Sequence, residues 1–588
     1  MKPRTAFTLL EETAAQYPDR IAMNQPSAGQ METYSWAGFE SAVREVAAGL
    51  RHLGIRKGDV AGLLSETRAE FYVADLGALA NGSIAAAAYS ASPPAELAAM
   101  FRTAGAKVIF VENPKVLAAL RAAGGDQLAV RCILLTGEAD DTLTLAGLRA
   151  LGREHPSDPP EVGASDPAIL YLTSGATGAP KMVLVNHHAL VFNADMGPQM
   201  LPLGPQDRAL VFLPSAHIAQ RVVMEFVMIR LAVPLYFSES LARMPHELRS
   251  VKPTVLLAPP RVWERVYASI CTEIKKRPVL TQRMFWGALG LGLRASRIRQ
   301  KGEEVPAWME TALGLADRAV FSKIRERFGG SIKLAASGAA PLGKDLAEFY
   351  DAIGMPLIEG YGLTEGGVAT LNPVDRPRIG SIVKALPGVE LRLGDDNELL
   401  IRGDCLMMGY FNDPAATGDV IRDGWLSTGD IAEIDADGYV HITGRKKEMI
   451  VASNGKKIYP NRIEALFKIE PLVAQIVLVG DRMPYVSALL TLNPAAAEGL
   501  KGMEGMEGRQ IAELARCAPV LDEVKRAVAR VNKHLAPYEH IRKFRVLDRD
   551  FSIDQGELTP TMKVRRTRVL DNWKPLIQEM YAGKEDLL

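Results

Sequence analysis

Residues 173–181 read Thr-Ser-Gly-Ala-Thr-Gly-Ala-Pro-Lys. Three hydroxyls (Thr173, Ser174, Thr177), two glycines (Gly175, Gly178) and one ammonium (Lys181) follow a short apolar run, 168–172. Glycine lets a backbone turn sharply and bring its N–H groups onto an anion. Hydroxyls and a lysine add donors and positive charge. Such a loop suits a polyanion, above all the phosphates of a nucleotide; the bland alternative is a Ser/Gly/Thr-rich surface turn. A Walker A loop needs G-x-x-x-x-G-K-[ST]. Here the glycines and the lysine are spaced three apart and Met182 follows Lys181, which disfavours an ordinary P-loop NTPase.

Three other segments carry chemistry. Gly360-Tyr361-Gly362-Leu363-Thr364-Glu365 offers an aromatic face, a hydroxyl and a carboxylate in a glycine-rich stretch. Near phosphates that pair suits Mg²⁺, which keeps several waters and takes one or two carboxylates; the alternative is a polar loop with an incidental tyrosine. Ser427-Thr428-Gly429-Asp430 precedes an alternating run, 431–434. Asp430 at such a turn could hold ribose hydroxyls or cap its own turn, and Arg445 is by default an exposed salt-bridge former. Leu558-Thr559-Pro560-Thr561-Met562-Lys563, followed by Val564-Arg565-Arg566, is either a phosphate or carboxylate clamp or a solvated basic run.

The elements that must position these residues are legible as an alternation. An amphipathic helix over 36–53, ended by Gly54, is followed by a strand at 59–65, a helix at 68–79 and strands at 107–111 and 131–136. This alternation predicts an α/β fold of layered, mostly parallel sheets, whose ligands bind beyond the carboxyl ends of the strands. The loop at 173–181 follows the strand-like run 168–172, on the correct side. From about 376 closely spaced glycines with β-type runs between them predict a small β-rich subdomain, about 376–443. The charged cluster Arg445-Lys446-Lys447-Glu448 marks a boundary, giving a large N-terminal domain 1–443 and a small α+β domain 444–588. The stretch 295–306 is charged and reads as exposed.

The chain has 588 residues, 48% hydrophobic and 23% charged, with 69 Lys+Arg against 69 Asp+Glu. That balance gives no global pull toward nucleic acid. Four cysteines, at 132, 271, 405 and 517, include no C-x-x-C pair, which argues against a zinc site or disulfide framework and fits a reducing compartment. The N-terminus lacks a signal-peptide core. The most apolar windows, 71–90 and 209–237, are interrupted by Asp75 and Asn81 and by His217, Arg221, Glu225 and Arg230, so neither reads as a spanning helix. The expected location is cytoplasmic, with peripheral contact at the inner membrane face left open.

Taken together and in order, these segments resemble the ANL superfamily of adenylate-forming enzymes, from about Phe7 to Tyr581. The markers are 173–181, Ser337-Gly338-Ala339-Ala340-Pro341, 361–365, 427–430, Gly444-Arg445 and Lys563. Leu213-Pro214-Ser215-Ala216-His217, a helical insert near 275–305 and the ending 557–563 are most similar to the long-chain fatty acyl-CoA synthetases. The resemblance implies activation of a medium- to long-chain fatty acid with ATP and Mg²⁺ to an acyl-adenylate. Transfer to coenzyme A would then give acyl-CoA, AMP and pyrophosphate.

It also implies roles. Thr173, Ser174, Gly175, Thr177, Gly178 and Lys181 would form the phosphate loop. Ser337, Gly338, Ala339, Tyr361 and Gly362 would bind the nucleotide around its adenine. Thr364 would touch the α-phosphate and Glu365 would hold Mg²⁺. Asp430, helped by Arg445, would take the ribose, and His217 would lie at the acyl pocket, where the alternative is a satisfied core histidine. Lys447 matches the hinge about which a mobile C-terminal lid rotates, with Gly444 easing that rotation. Lys563 would reach across to the acyl carboxylate and α-phosphate. The chain departs from the family pattern at Ala176, at Met182 and at Arg221, where members often carry an aromatic gate. The rival readings are activation of another carboxylic acid and a fatty acyl-AMP ligase loading an acyl carrier protein; an insertion just after the hinge would favour the latter, and none separates Gly444 from Pro460. A nucleotide-binding protein without catalysis is disfavoured by intact Lys181, Glu365, Asp430 and Lys563.

Overall fold

The computed structural model describes residues 4–27, 29–124, 130–172, 181–338, 340–374, 377–382, 384–453, 455–500, 508–559 and 562–582. Thr173, Ser174, Gly175, Ala176, Thr177, Gly178 and Ala339 lie outside them.

The helix Trp36–His52 shows how the pattern becomes structure. Ser35 caps it by accepting a hydrogen bond from the Gly38 N–H at 3.0 Å. Trp36, Phe39, Val43, Val46 and Leu50 form its buried stripe, and Gly54, at φ +83°, turns the chain away. It packs on the helix Ala69–Ala80 and on Leu145–Glu154. The strands Val60–Leu64 and Ile84–Ala88 beside it are buried at every residue, as central strands of a covered parallel sheet must be.

Two eight-stranded sheets form the large N-terminal part. One runs parallel from Leu143–Thr144 to Pro167–Leu172 and gains antiparallel edge strands Met182–Asn186 and Gly409–Tyr410. In the other, Leu235–Phe237, Ala209–Val211, Val255–Ala258, Leu334–Ser337 and Leu357–Leu363 are parallel neighbours, edged antiparallel by Gly367–Leu371. The β-rich subdomain is a five-stranded antiparallel sheet over 389–445. The chain from 450 onward has its own cores, built around the three-stranded sheet Val473–Val479, Val486–Leu492 and Ile541–Val546.

Two local expectations are corrected. Ser427–Asp430 is not a turn before a strand: the strand runs Trp425–Ile434, and Asp430 sits within it, opposite Arg445. Residues 360–363 are likewise the end of the strand Leu357–Leu363 rather than a loop. In both cases ladder partners held in register outweigh the turn propensity of glycine.

The charges that interrupt the two apolar windows find each other. Asp75, on Ala69–Ala80, accepts from Arg221 Nε at 3.0 Å and from Nη2, and both side chains are fully buried. Arg221 lies in a π-helical segment, Gln220–Val227. Arg221 therefore occupies the gate position as half of a buried ion pair. Beside it Glu225 is pushed well above the usual carboxylate range by burial and by the Asp75 charge, and is neutral. Met182, the other departure, is buried in its strand among core residues that include Leu172.

Candidate active site

The site is built where strand ends converge. Leu357–Leu363 and Gly367–Leu371 form a hairpin whose turn carries Thr364 and Glu365. Gly362 is required there because a Cβ would collide with the carbonyl of Gly367. Asn193 fastens the hairpin to the helix His187–Met200: its Nδ2 donates to Val368 O at 3.0 Å and its Oδ1 accepts from Val368 N at 3.1 Å.

Asp430 is the most constrained group. It is buried, accepts from Tyr361 Oη at 2.7 Å, and accepts from Arg445 Nε at 2.9 Å. Arg445 is raised above its ordinary value, first by the Asp430 charge. Tyr361 is pushed far up by burial and by the same carboxylate, so its phenol stays protonated and donates. The three residues form a rigid acceptor framed by an aromatic ring and a cation. Glu398 supports it from below, accepting from Gly429 N at 2.9 Å and from Lys446 Nζ at 3.1 Å.

Glu365 accepts from Tyr410 Oη at 3.0 Å, and Lys181 Nζ stands 4.3 Å from the centroid of the Tyr410 ring. Tyr410 thus joins the end of the phosphate-loop segment to the carboxylate. Ser337 ends its strand buried, opposite Glu359, and Gly338 follows it. Glu359 accepts from Leu342 N at 3.0 Å and so ties down the segment after Pro341; burial pushes its carboxyl up to about 7.

Lys563 comes from the C-terminal part on a tight hairpin. Its N–H donates to Thr559 Oγ1 at 3.0 Å, the Thr559 N–H donates to Lys563 O at 2.8 Å, and Met562 adopts φ +64°. Glu557, fully buried, anchors the base by accepting from Arg549 Nη2 at 2.8 Å and Trp573 Nε1 at 3.0 Å. The Lys563 side chain keeps a face open to solvent, yet it is seated among enough protein to push it down to about 8. The Arg445 guanidinium adds to that fall, while Asp430 and Glu365 pull the other way. Asp430 and Glu365 belong to the N-terminal part and Arg445 pairs with Asp430 in its sheet, so Lys563 closes the cleft from across the boundary.

His217 is also in electrostatic reach of Lys563: burial and then the Lys563 charge hold it down to about 3. It is half-buried and neutral, and its Nδ1 accepts from Ala219 N at 3.1 Å, which leaves the proton on Nε2. Arg221 follows one turn later, its N–H donating to His217 O at 3.0 Å.

The remaining candidate, Lys447, is exposed on the short turn Lys446–Glu448, two residues after Arg445. Gly444 is a buried strand residue whose missing side chain admits the ring of Tyr459, so its glycine serves packing here. Four residues of the site escape motif reading: Tyr410, Glu359, Glu398 and Glu557. The only signal for the first two was adjacency to glycines, and Glu557 was legible only as the start of the final segment.

The fold and the cleft define the class, an adenylate-forming enzyme of the ANL superfamily. The chain belongs to the AMP-binding enzyme family: that family's model matches residues 10–411, and the model of the AMP-binding enzyme C-terminal domain matches 447–585. The long-chain-fatty-acid–CoA ligase FadD15 of Mycobacterium tuberculosis is 34% identical over 96% of this chain and 95% of its own. The long-chain-fatty-acid–CoA ligase ACSBG2 of Rattus norvegicus is 28% identical over 99% and 93%. Among solved structures, the anthranilate CoA ligase AuaEII in complex with anthranoyl-AMP shares the fold with a TM-score of 0.74 at 19% identity, covering 97% of this chain and 98% of that one.

Proposed function

We propose that the protein activates a medium- to long-chain fatty acid with ATP and passes the acyl group to coenzyme A. In the first step a carboxylate oxygen attacks the α-phosphorus, the bond to the bridging oxygen breaks, and pyrophosphate leaves. In the second the thiol sulfur attacks the acyl carbonyl, AMP leaves, and the thiol proton is released. The substrate carboxylate is itself the nucleophile, so no serine or cysteine nucleophile is needed.

The observation that carries the reading is the convergence of Lys563, from the C-terminal part, on Glu365 and Asp430 of the N-terminal part and on Arg445, the strand partner of Asp430. Attack by a carboxylate on an anionic phosphate brings like charges together. One cation placed about 4 Å away offsets roughly 4 kcal/mol at an effective dielectric near 20, about three decades of rate if felt mainly in the transition state.

The geometry of the described residues supports the following roles. Asp430 takes the ribose hydroxyls, held rigid by Tyr361 and Arg445, and Tyr361 with Ser337 and Gly338 borders the base. Lys181 and Thr364 face the phosphates, with residues 173–178 as the phosphate loop. His217 lines the acyl entrance. Glu365 offers one carboxylate beside the phosphate position, a donor set that fits Mg²⁺ completed by phosphate oxygens and water. When bound there, the ion supplies charge neutralisation on the phosphates. The hinge lies at Lys447, where the chain passes from the 389–445 sheet to the C-terminal cores, and the domain boundary falls at 444.

The test is the purified protein with ATP, Mg²⁺ and fatty acids of graded length, with and without CoA, following AMP and thioester. CoA-dependent turnover supports the ligase. Acyl-adenylate that forms but moves only to a carrier protein would replace that reading.

A further inference from the structure

The helix Val279–Gln300 presents an unusual outer face. Its inner stripe, Phe285, Leu289, Gly292 and Ser296, is buried, and the helix packs on Lys344–Ala352. The exposed side mixes large apolar groups with arginines. Val279, Leu280 (71% exposed), Met284 and Trp286 stand in solvent. The neighbouring helix Ala307–Ala316 adds Trp308 (61%) and Leu315, seven residues apart and so on one face. Solvent-facing apolar groups of this size, clustered on two adjacent helices, mark a contact surface.

Charge says what the surface contacts. Between Lys275 and Lys301 the sequence holds eight Lys and Arg and no Asp or Glu, in a chain whose net charge is zero. Several acids around the stretch are engaged or flank it. Glu348 pairs with Arg297 at 2.9 Å, Glu310 with Arg299 at 2.9 Å, Glu273 with Arg327, and Glu303 and Glu304 follow the helix. Lys276, Arg277, Arg283, Arg294 and Lys301 are exposed and form no ion pair among the described residues. Cations interleaved with tryptophan and leucine suit the boundary between anionic headgroups and acyl chains, where indole rings settle and basic side chains meet phosphate. No described helix is long and apolar enough to cross a membrane, so the geometry is that of a helix lying on the surface.

We propose that the outer faces of Val279–Gln300 and Ala307–Ala316 dock the protein onto an anionic lipid bilayer. The apolar side chains enter the headgroup boundary, and the unpaired cations draw that face, and not its opposite, toward the membrane. Vesicle binding reads this surface alone, so it can fail while the ligase reaction stands.

The experiment is flotation of the full-length protein with vesicles of phosphatidylcholine, with and without phosphatidylglycerol, at low and high salt. Two double variants accompany it, Arg277→Glu/Arg283→Glu and Leu280→Asn/Trp286→Ser. The expected result is binding that requires phosphatidylglycerol, weakens with salt, and falls at least about tenfold in each variant, while AMP release on a short, water-soluble acid is unchanged. Four results would each overturn the proposal. The wild type could fail to float, or both variants could float as the wild type does. Alternatively, sedimentation could show a wild-type dimer that Leu280→Asn/Trp286→Ser dissociates, making the face an interface between two copies. Binding of duplex DNA in place of vesicles would also overturn it.

Discussion

Around Lys563 two opposed influences meet. Crowding by protein and the Arg445 charge favour the neutral amine, while Asp430 and Glu365 favour the cation, and the balance falls near 8. The cation is the form that assists adenylation. A lysine lowered from its ordinary 10.5 to about 8 is charged below that pH and loses its charge above it, so kcat/KM for ATP in pyrophosphate release should decline above about pH 8. Lys563→Arg, which keeps its charge, should lose that limb. Lys563→Ala should slow pyrophosphate release by roughly 10²–10³, as removal of one preorganised donor does, and should spare thiolysis of a supplied acyl-adenylate; near-normal pyrophosphate release would remove Lys563 from the mechanism. Glu359 gives a stability prediction of defined sign. Its carboxyl is raised to about 7 in the fold against 4.5 otherwise, so the native state binds its proton more tightly. That contribution is fully present below about pH 4.5 and is lost as pH rises through 7, amounting to at most about 3 kcal/mol. Urea unfolding of Glu359→Gln, whose amide oxygen still accepts from Leu342 N, should show a flatter pH dependence; an unchanged slope would assign it to other groups.

At the scale of elements, the helix Ala69–Ala80 and the π-helical segment Gln220–Val227 are joined by the Asp75–Arg221 pair. Removing one partner strands a buried charge, so Asp75→Asn should destabilise by about 3–5 kcal/mol in denaturant unfolding. Asp75→Leu/Arg221→Met should restore most of that loss, because the penalty is desolvation without compensation. A double variant as unstable as the single would point to packing as the cause. The two hairpins that carry the reactive groups use different devices. The turn holding Thr364 and Glu365 is set by glycine at 362 and by Asn193 bridging both backbone groups of Val368. The Lys563 hairpin is set by Thr559 and by the buried Glu557 beneath it.

Across the whole molecule, one lysine from the C-terminal part completes a cleft made by the N-terminal part. Thioester formation needs room for CoA at the same centre. A C-terminal part that turns about Lys447 would provide it, and the exposed Lys447 side chain lets the backbone be stiffened without disturbing a core. Lys447→Pro should leave pyrophosphate release near normal and slow thioester formation; equal losses in both half-reactions would argue against rotation. The sequence by itself determined a good deal. The alternation of apolar runs and amphipathic helices announced parallel α/β layers, because the 2.0 and 3.6 periods are local. The motif residues announced a nucleotide-phosphate site through their chemistry, and adenylation through their resemblance to the ANL superfamily. Only the tertiary structure decided that Asp430 lies inside a strand opposite Arg445, that Tyr410 links Lys181 to Glu365, and that Asp75 and Arg221 share one buried pair. Each joins residues far apart in the chain, so no local pattern of residue types encodes it: hydrogen-bond register and burial, not propensity, fix those contacts.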